Sequence, residues 1–137
     1  MKKIIYFLSA ICLLLLSCAS EKEVITKPLS DGIFSGTFSV RYFVDMPWAV
    51  GSGEVTIKLQ NGRFYSSANP NRIPAGGSGT FSVNNKKITF NDENPWWADF
   101  DWGLILNGEY YFEFDGKRLR IWRSNNVGLY EYILERQ

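Results

Sequence analysis

Histidine is absent from all 137 residues of this chain. That removes the one side chain that ordinarily titrates near neutrality, and with it His-based acid–base catalysis, Ser-His-Asp triads and nearly all zinc sites. Cysteine is almost absent: both copies, Cys12 and Cys18, fall within the first eighteen residues. Everything downstream offers no disulfide, no thiol nucleophile and no thiolate metal ligand. An excess of charge is lacking as well. Fifteen Lys and Arg stand against fourteen Asp and Glu, a balance that gives no electrostatic case for nucleic acid. Beyond the N-terminal run no segment carries helical periodicity. No cofactor and no enzymatic activity are expected.

What is present begins with M-K-K-I-I-Y-F-L-S-A-I-C-L-L-L-L-S-C. Lys2 and Lys3 precede an apolar run, Ile4 to Leu16, that is short for a membrane span and suited to a signal peptide. Leu15-Leu16-Ser17-Cys18 resembles the lipobox of bacterial lipoproteins. The resemblance implies cleavage before Cys18 and lipid on its sulfur and new N-terminus, with residues 1–17 removed. Several acyl chains on one terminus exceed what stable membrane anchoring requires. The processed chain is then Cys18 to Gln137, 120 residues, enough for one domain with a real core. Losing Lys2 and Lys3 takes the formal charge from +1 to −1.

Residues 18–31 read as lipidated terminus and flexible tether, polar and without period. Glu21 and Glu23 resemble the short acidic signal that directs some Gram-negative lipoproteins to the outer face of the outer membrane; a solvated spacer is the other reading. Either way the expected location is the envelope of a Gram-negative bacterium, on the outer membrane.

From Gly32 the period is two. Phe34, Phe38, Val40 and Tyr42 share one face while Ser35, Thr37, Ser39 and Arg41 share the other. Val55, Ile57 and Leu59 alternate with Glu54, Thr56, Lys58 and Gln60. Such alternation means strands with one buried and one wet face. Asn61-Gly62 is a strong hairpin signal that pairs Leu59 with Phe64 and Gln60 with Arg63. Turns centred on Asn84-Asn85, Asp115-Gly116 and Asn125-Asn126 set Phe81 against Ile88, Phe112 against Leu119, and Ile121 against Tyr130. Trp96 to Leu106 reads as another strand. A three-residue loop at Asn107-Gly108 would then pair Leu104 with Tyr110 and Trp102 with Phe112.

About nine strand segments with one apolar face cannot leave that face in water. With no helix to cover it, the meander is expected to close into an antiparallel barrel of about eight strands over residues 32–137. The hairpins G-S-G-T-F-S-V-N-N-K-K-I-T-F, L-N-G-E-Y-Y-F-E-F-D-G-K-R-L-R-I-W and G-L-Y-E-Y-I-L-E-R resemble bacterial lipoproteins with a lipocalin-like domain. Where lipocalins carry G-x-W, this chain has Gly32-Ile33-Phe34. Arg123 stands where their late-strand arginine would be. The resemblance implies a barrel that holds a small apolar molecule.

Candidate sites follow from the same alternation. Trp102, Tyr110 and Tyr130 fall on the inner face near one mouth, and Arg123 is an inward cation that needs a partner. It would anchor a ligand carboxylate or phosphate, or reach water at the rim. Trp97, Asp99 and Asp101 fall on the outer face of the strand read from Trp96. Two carboxylates roughly 7 Å apart there suit a glycan surface better than catalysis, which needs a cleft and a raised pKa. Asp99 and Asp101 with Asp92 or Glu93 match no metal-loop spacing. Trp122, Leu129 and Ile133 mark an outward apolar patch for a protein partner. The expected role is capture of a small apolar or amphipathic ligand. A non-enzymatic interaction or structural module of an envelope complex, or surface glycan binding, is the alternative.

Overall fold

A computed structural model describes residues 26–44, 50–97 and 99–137. The expected signal peptide with Cys18, residues 45–49 with Trp48, and Ala98 lie outside them. Eight antiparallel strands close into a barrel in chain order: β1 Gly32–Tyr42, β2 Val50–Gln60, β3 Arg63–Ser66, β4 Gly77–Asn84, β5 Lys87–Asp92, β6 Gly108–Phe114, β7 Arg118–Ser124 and β8 Gly128–Arg136. β1 and β8 form the closing seam, from Phe34 opposite Arg136 to Tyr42 opposite Gly128. At Gly36 the seam runs so close that a Cβ would overlap the Ile133 carbonyl oxygen, so glycine is required for packing reasons.

The inward parity set is the core. Phe34, Phe38, Ile57, Leu59, Ile88, Phe90, Phe112, Leu119, Ile121 and Tyr132 are all at most 2% exposed. Rings meet across the lumen and not only between neighbouring strands. Phe64 of β3 meets Phe90 of β5 at 4.9 Å, Phe90 meets Tyr110 at 5.9 Å, Tyr110 meets Tyr132 at 6.3 Å, and Tyr132 meets Phe38 of β1 at 4.6 Å. Phe34 and Phe114 touch edge-on at 5.9 Å. Edge-to-face pairs of this kind add about 1 kcal/mol each to the burial of the rings themselves. The middle of this barrel is filled with side chains.

The Asn61-Gly62 turn forms as expected, with φ of 50° and 73° and Leu59 opposite Phe64. The other three hairpins keep their faces but turn one residue later. Ile88 lies opposite Val83, Leu119 opposite Phe114, and Tyr132 opposite Ile121. Asp115 and Asn125 account for two of these shifts. Each precedes the two turn residues and accepts two backbone N–H groups on Oδ1: Lys117 (2.8 Å) and Arg118 (2.7 Å), and Val127 (2.8 Å) and Gly128 (3.0 Å). That is the role of Asp or Asn at the first position of a turn. Each pairing moves by two residues, so no side chain changes face.

The strand expected from Trp96 to Leu106 is not formed. β5 pairs directly with β6, Ile88 opposite Tyr110 and Phe90 opposite Gly108. Residues 93–107 are left as a long connection across the mouth. Pro95 cannot donate to a ladder. Asp101 Oδ1 accepts from Gly103 N at 2.7 Å and caps a short 3-10 turn, Trp102–Leu104, in place of strand geometry. Leu104, Ile105 and Leu106 then dip into the core. The connection is zipped to residues 75–76: Ala75 N–H donates to Leu104 O and Leu106 N–H to Gly76 O, both at 2.9 Å.

The opposite end, the base, is crossed by the entering segment. Lys27 N–H donates to Phe114 O at 2.6 Å. Arg136 donates from Nη2 to Ser30 Oγ at 2.6 Å, and Asp31 accepts from Asn61 N at 2.9 Å. Leu29 packs against the core. The last residues of the expected tether are thus fastened to the barrel.

Candidate functional site at the barrel mouth

Four strands and the 93–107 connection build the mouth. Tyr42 ends β1, Tyr130 lies across the seam on β8, Arg123 is near the end of β7 opposite Tyr130, and Tyr110 stands on β6. Asp101 descends from the connection into this group. Its Oδ2 accepts from Tyr42 Oη at 2.9 Å and from Tyr130 Oη at 2.7 Å. Asp101 was expected on the wet face with Trp97 and Asp99. The 3-10 turn reverses that parity, and two tyrosine hydroxyls satisfy the carboxylate.

The tyrosines are held protonated. Burial pushes Tyr42 up to about 12, helped by its bond to Asp101 and by the Asp101 charge. The same causes, burial first, raise Tyr130 further. Burial also takes Tyr110 to about 12, opposed by the Arg123 charge. Tyr132, deeper still, is raised by burial, and its hydroxyl is buried without a hydrogen-bond partner.

Arg123 turns inward as expected and bridges the connection. Nη1 donates to Asn107 O at 2.7 Å and Nη2 to Gly103 O at 3.3 Å. Its guanidinium carbon lies 4.5 Å from the Tyr110 ring centre and 5.4 Å from that of Tyr130. The planar cation therefore rests on two aromatic faces while its fork grips two carbonyls. Among the described residues no carboxylate forms an ion pair with it. Nε is buried without a hydrogen-bond partner.

Beside Arg123 is a cleft of about 390 Å³ whose walls include Trp96, Trp102, Asn94, Asn107 and Asn125. Trp96 is fixed by donating Nε1 to Asp92 Oδ2, and it meets Phe100 edge-on at 6.0 Å. Trp102 was expected in the core opposite Phe112. It is 60% exposed, because the 3-10 turn carries it out to the rim. Of the four ligand-binding candidates, Trp102 and Arg123 line the cleft. Tyr110 and Tyr130 lie beneath it and support the guanidinium.

The outer-face candidates do not form one surface. Trp97 is 92% exposed and Asp99 is exposed, but Asp101 has left them. Trp122 is half-buried under the Arg120 guanidinium, 4.4 Å away, and stacks with Tyr111 at 5.9 Å. It lies opposite Glu131, not Leu129, which is half-buried opposite Ser124. Arg120 also pairs with Glu131 at 2.7 Å.

Sequence reasoning passed over Tyr42, Asn94 and Asn107 as site residues. The one local signal was D-W-G at Asp101 to Gly103, an acidic side chain two residues before a glycine N–H. No family model matches the chain, and neither the curated proteins nor the solved structures searched yield a match.

Proposed function

We propose that this chain is a lipid-anchored binding protein of the Gram-negative envelope that holds a small amphipathic molecule bearing an anionic group. The site is the mouth cleft and not the lumen. The observation that carries this is Arg123: a partly buried guanidinium, pre-oriented on two tyrosine rings, without an ion-pairing carboxylate among the described residues, at the wall of an open cleft. Two of its five N–H donors are used by backbone carbonyls. A carboxylate or phosphate is the group a guanidinium recognises best. Trp96 and Trp102 offer flat apolar walls for the rest of the ligand. The ring-filled centre supports a rim site over an internal one. The test uses full-length chain in lipid nanodiscs, titrated with fatty acids, lysophospholipids and aromatic carboxylic acids while tryptophan emission is followed. Saturable shifts lost in Arg123→Gln are expected. Silence across the panel would refute the reading.

A second reading, an interaction module of an envelope complex, is favoured by Trp97. A tryptophan 92% exposed on a connection over the mouth is a costly surface and a common anchor of protein interfaces. Cross-linking in native membranes should recover a partner with Trp97 intact and lose it in Trp97→Ser. No partner in either would count against it.

A further inference from the structure

The base of the barrel gathers cations. Lys27 of the entering segment, Lys86 of the β4–β5 turn, and Lys117 and Arg118 of the β6–β7 turn are exposed. The backbone brings them together: Lys27 N–H bonds Phe114 O, Lys86 O accepts from Phe112 N at 3.0 Å, and the Lys27 side chain lies over Gly116. Asp115 sits among them, and Asp31 and Glu135 are further acids at this end. The Asp115 carboxyl is held below the usual range by the backbone N–H groups of Arg118 and Lys117, with the Arg118 and Lys27 charges adding. Lys117 also meets Glu135 at 3.6 Å, and Lys87 meets Glu109 at 2.6 Å. Lys27, Lys86 and Arg118 have no ion pair among the described residues. Between the β4–β5 turn and the segment runs a groove of about 810 Å³ walled by Leu29, Val83, Tyr111 and Phe112. Val83 is 42% exposed at its edge. The connection over the mouth has the other sign: residues 93–107 carry Glu93, Asp99 and Asp101 and no Lys or Arg, while Arg41, Arg72 and Arg123 lie on other elements at that end.

We propose that the base is a membrane-contact face that docks on anionic phospholipid headgroups. Charge complementarity and the point of chain entry name this occupant. Thr26 enters at the base, and the eight steps from Cys18 span at most about 29 Å, so an anchor at Cys18 would hold this end near the bilayer. That geometry rests on the lipid-anchor reading; the charge-driven contact does not. Juxtamembrane lysines and arginines add to anchoring on anionic leaflets.

The experiment is flotation of the full chain with vesicles of phosphatidylcholine alone or with phosphatidylglycerol. Phosphatidylglycerol should raise binding, and salt should erase the increment. Lys27→Gln, Lys86→Gln and Arg118→Gln together should lower binding to the mixed vesicles about fivefold per charge removed. Arg41→Gln with Arg72→Gln, at the mouth, should leave the increment intact. All five side chains are exposed, so the fold is expected to persist and circular dichroism checks it. No increment in the unaltered chain, or an equal loss in both sets, overturns the proposal. Cys18→Ser on phosphatidylcholine alone reports the anchor separately: unchanged binding there overturns the anchor reading, and the increment still decides the headgroup contact.

Discussion

The Asp101 carboxylate receives the Tyr130 hydroxyl at 2.7 Å, and on the same oxygen it receives Tyr42 at 2.9 Å. One residue of the mouth connection therefore stitches β1 to β8 across the seam that closes the barrel.

Asp101→Ala should destabilise the fold by about 2–4 kcal/mol, since it strands two partly buried hydroxyls and removes the cap on Gly103 N. Asp101→Asn keeps an acceptor and should lose less. Urea unfolding of the two variants checks both the sign and the order.

Alkali should unfold the protein through its tyrosines. Tyr42 has a native pKa of about 12 against an ordinary 10.0, so the folded state keeps a proton that the unfolded chain gives up. Stability from this source is whole below pH 10 and declines as pH climbs to about 12. Tyr110, raised over the same window, acts in the same direction. Phenolate absorbance should therefore rise together with loss of structure. In Asp101→Ala, Tyr42 should titrate at lower pH.

Arg123→Gln should loosen the mouth without opening the barrel. The lost bonds are those to Asn107 O and Gly103 O, at a cost of about 1–3 kcal/mol. Hydrogen exchange should quicken at residues 103–107 and stay unchanged in β2. Arg123→Lys, with no fork to span two carbonyls, should restore little.

Gly36→Ala should be among the most damaging single-methyl additions. The new Cβ meets the Ile133 carbonyl, a backbone atom of β8 that cannot step aside. The expected cost is about 3 kcal/mol or more, seen as a lowered thermal midpoint or loss of folded yield.

The barrel was legible because its inward face is local information. Alternation and turn pairing put Phe34, Ile57 and Ile121 on the buried face, and turns displaced by one residue left that assignment intact. The mouth was not legible by the same means. Leu104 and Leu106 are buried as alternation implied, but so is Ile105, because a connection dipping into a core buries residues of both parities. Asp101 finds its partners 59 and 29 residues away in Tyr42 and Tyr130, and no window of sequence holds all three. Arg123 was half legible: its inward direction follows from L-R-I-W-R, while its grip on the Gly103 and Asn107 carbonyls depends on where the connection lands.

The seam between β1 and β8 also sets an order of events. β1 is the first strand made, yet one of its edges has no partner until Gly128–Arg136 has been synthesised and delivered. A hairpin ladder can grow along the chain as it emerges, but the sheet stays open-edged and sticky until its final nine residues arrive. Arg136 lies in that last strand and is the residue that grips Ser30. Closing the cylinder and clamping Ser30 are thus a single late step, and a chain truncated before β8 would have neither.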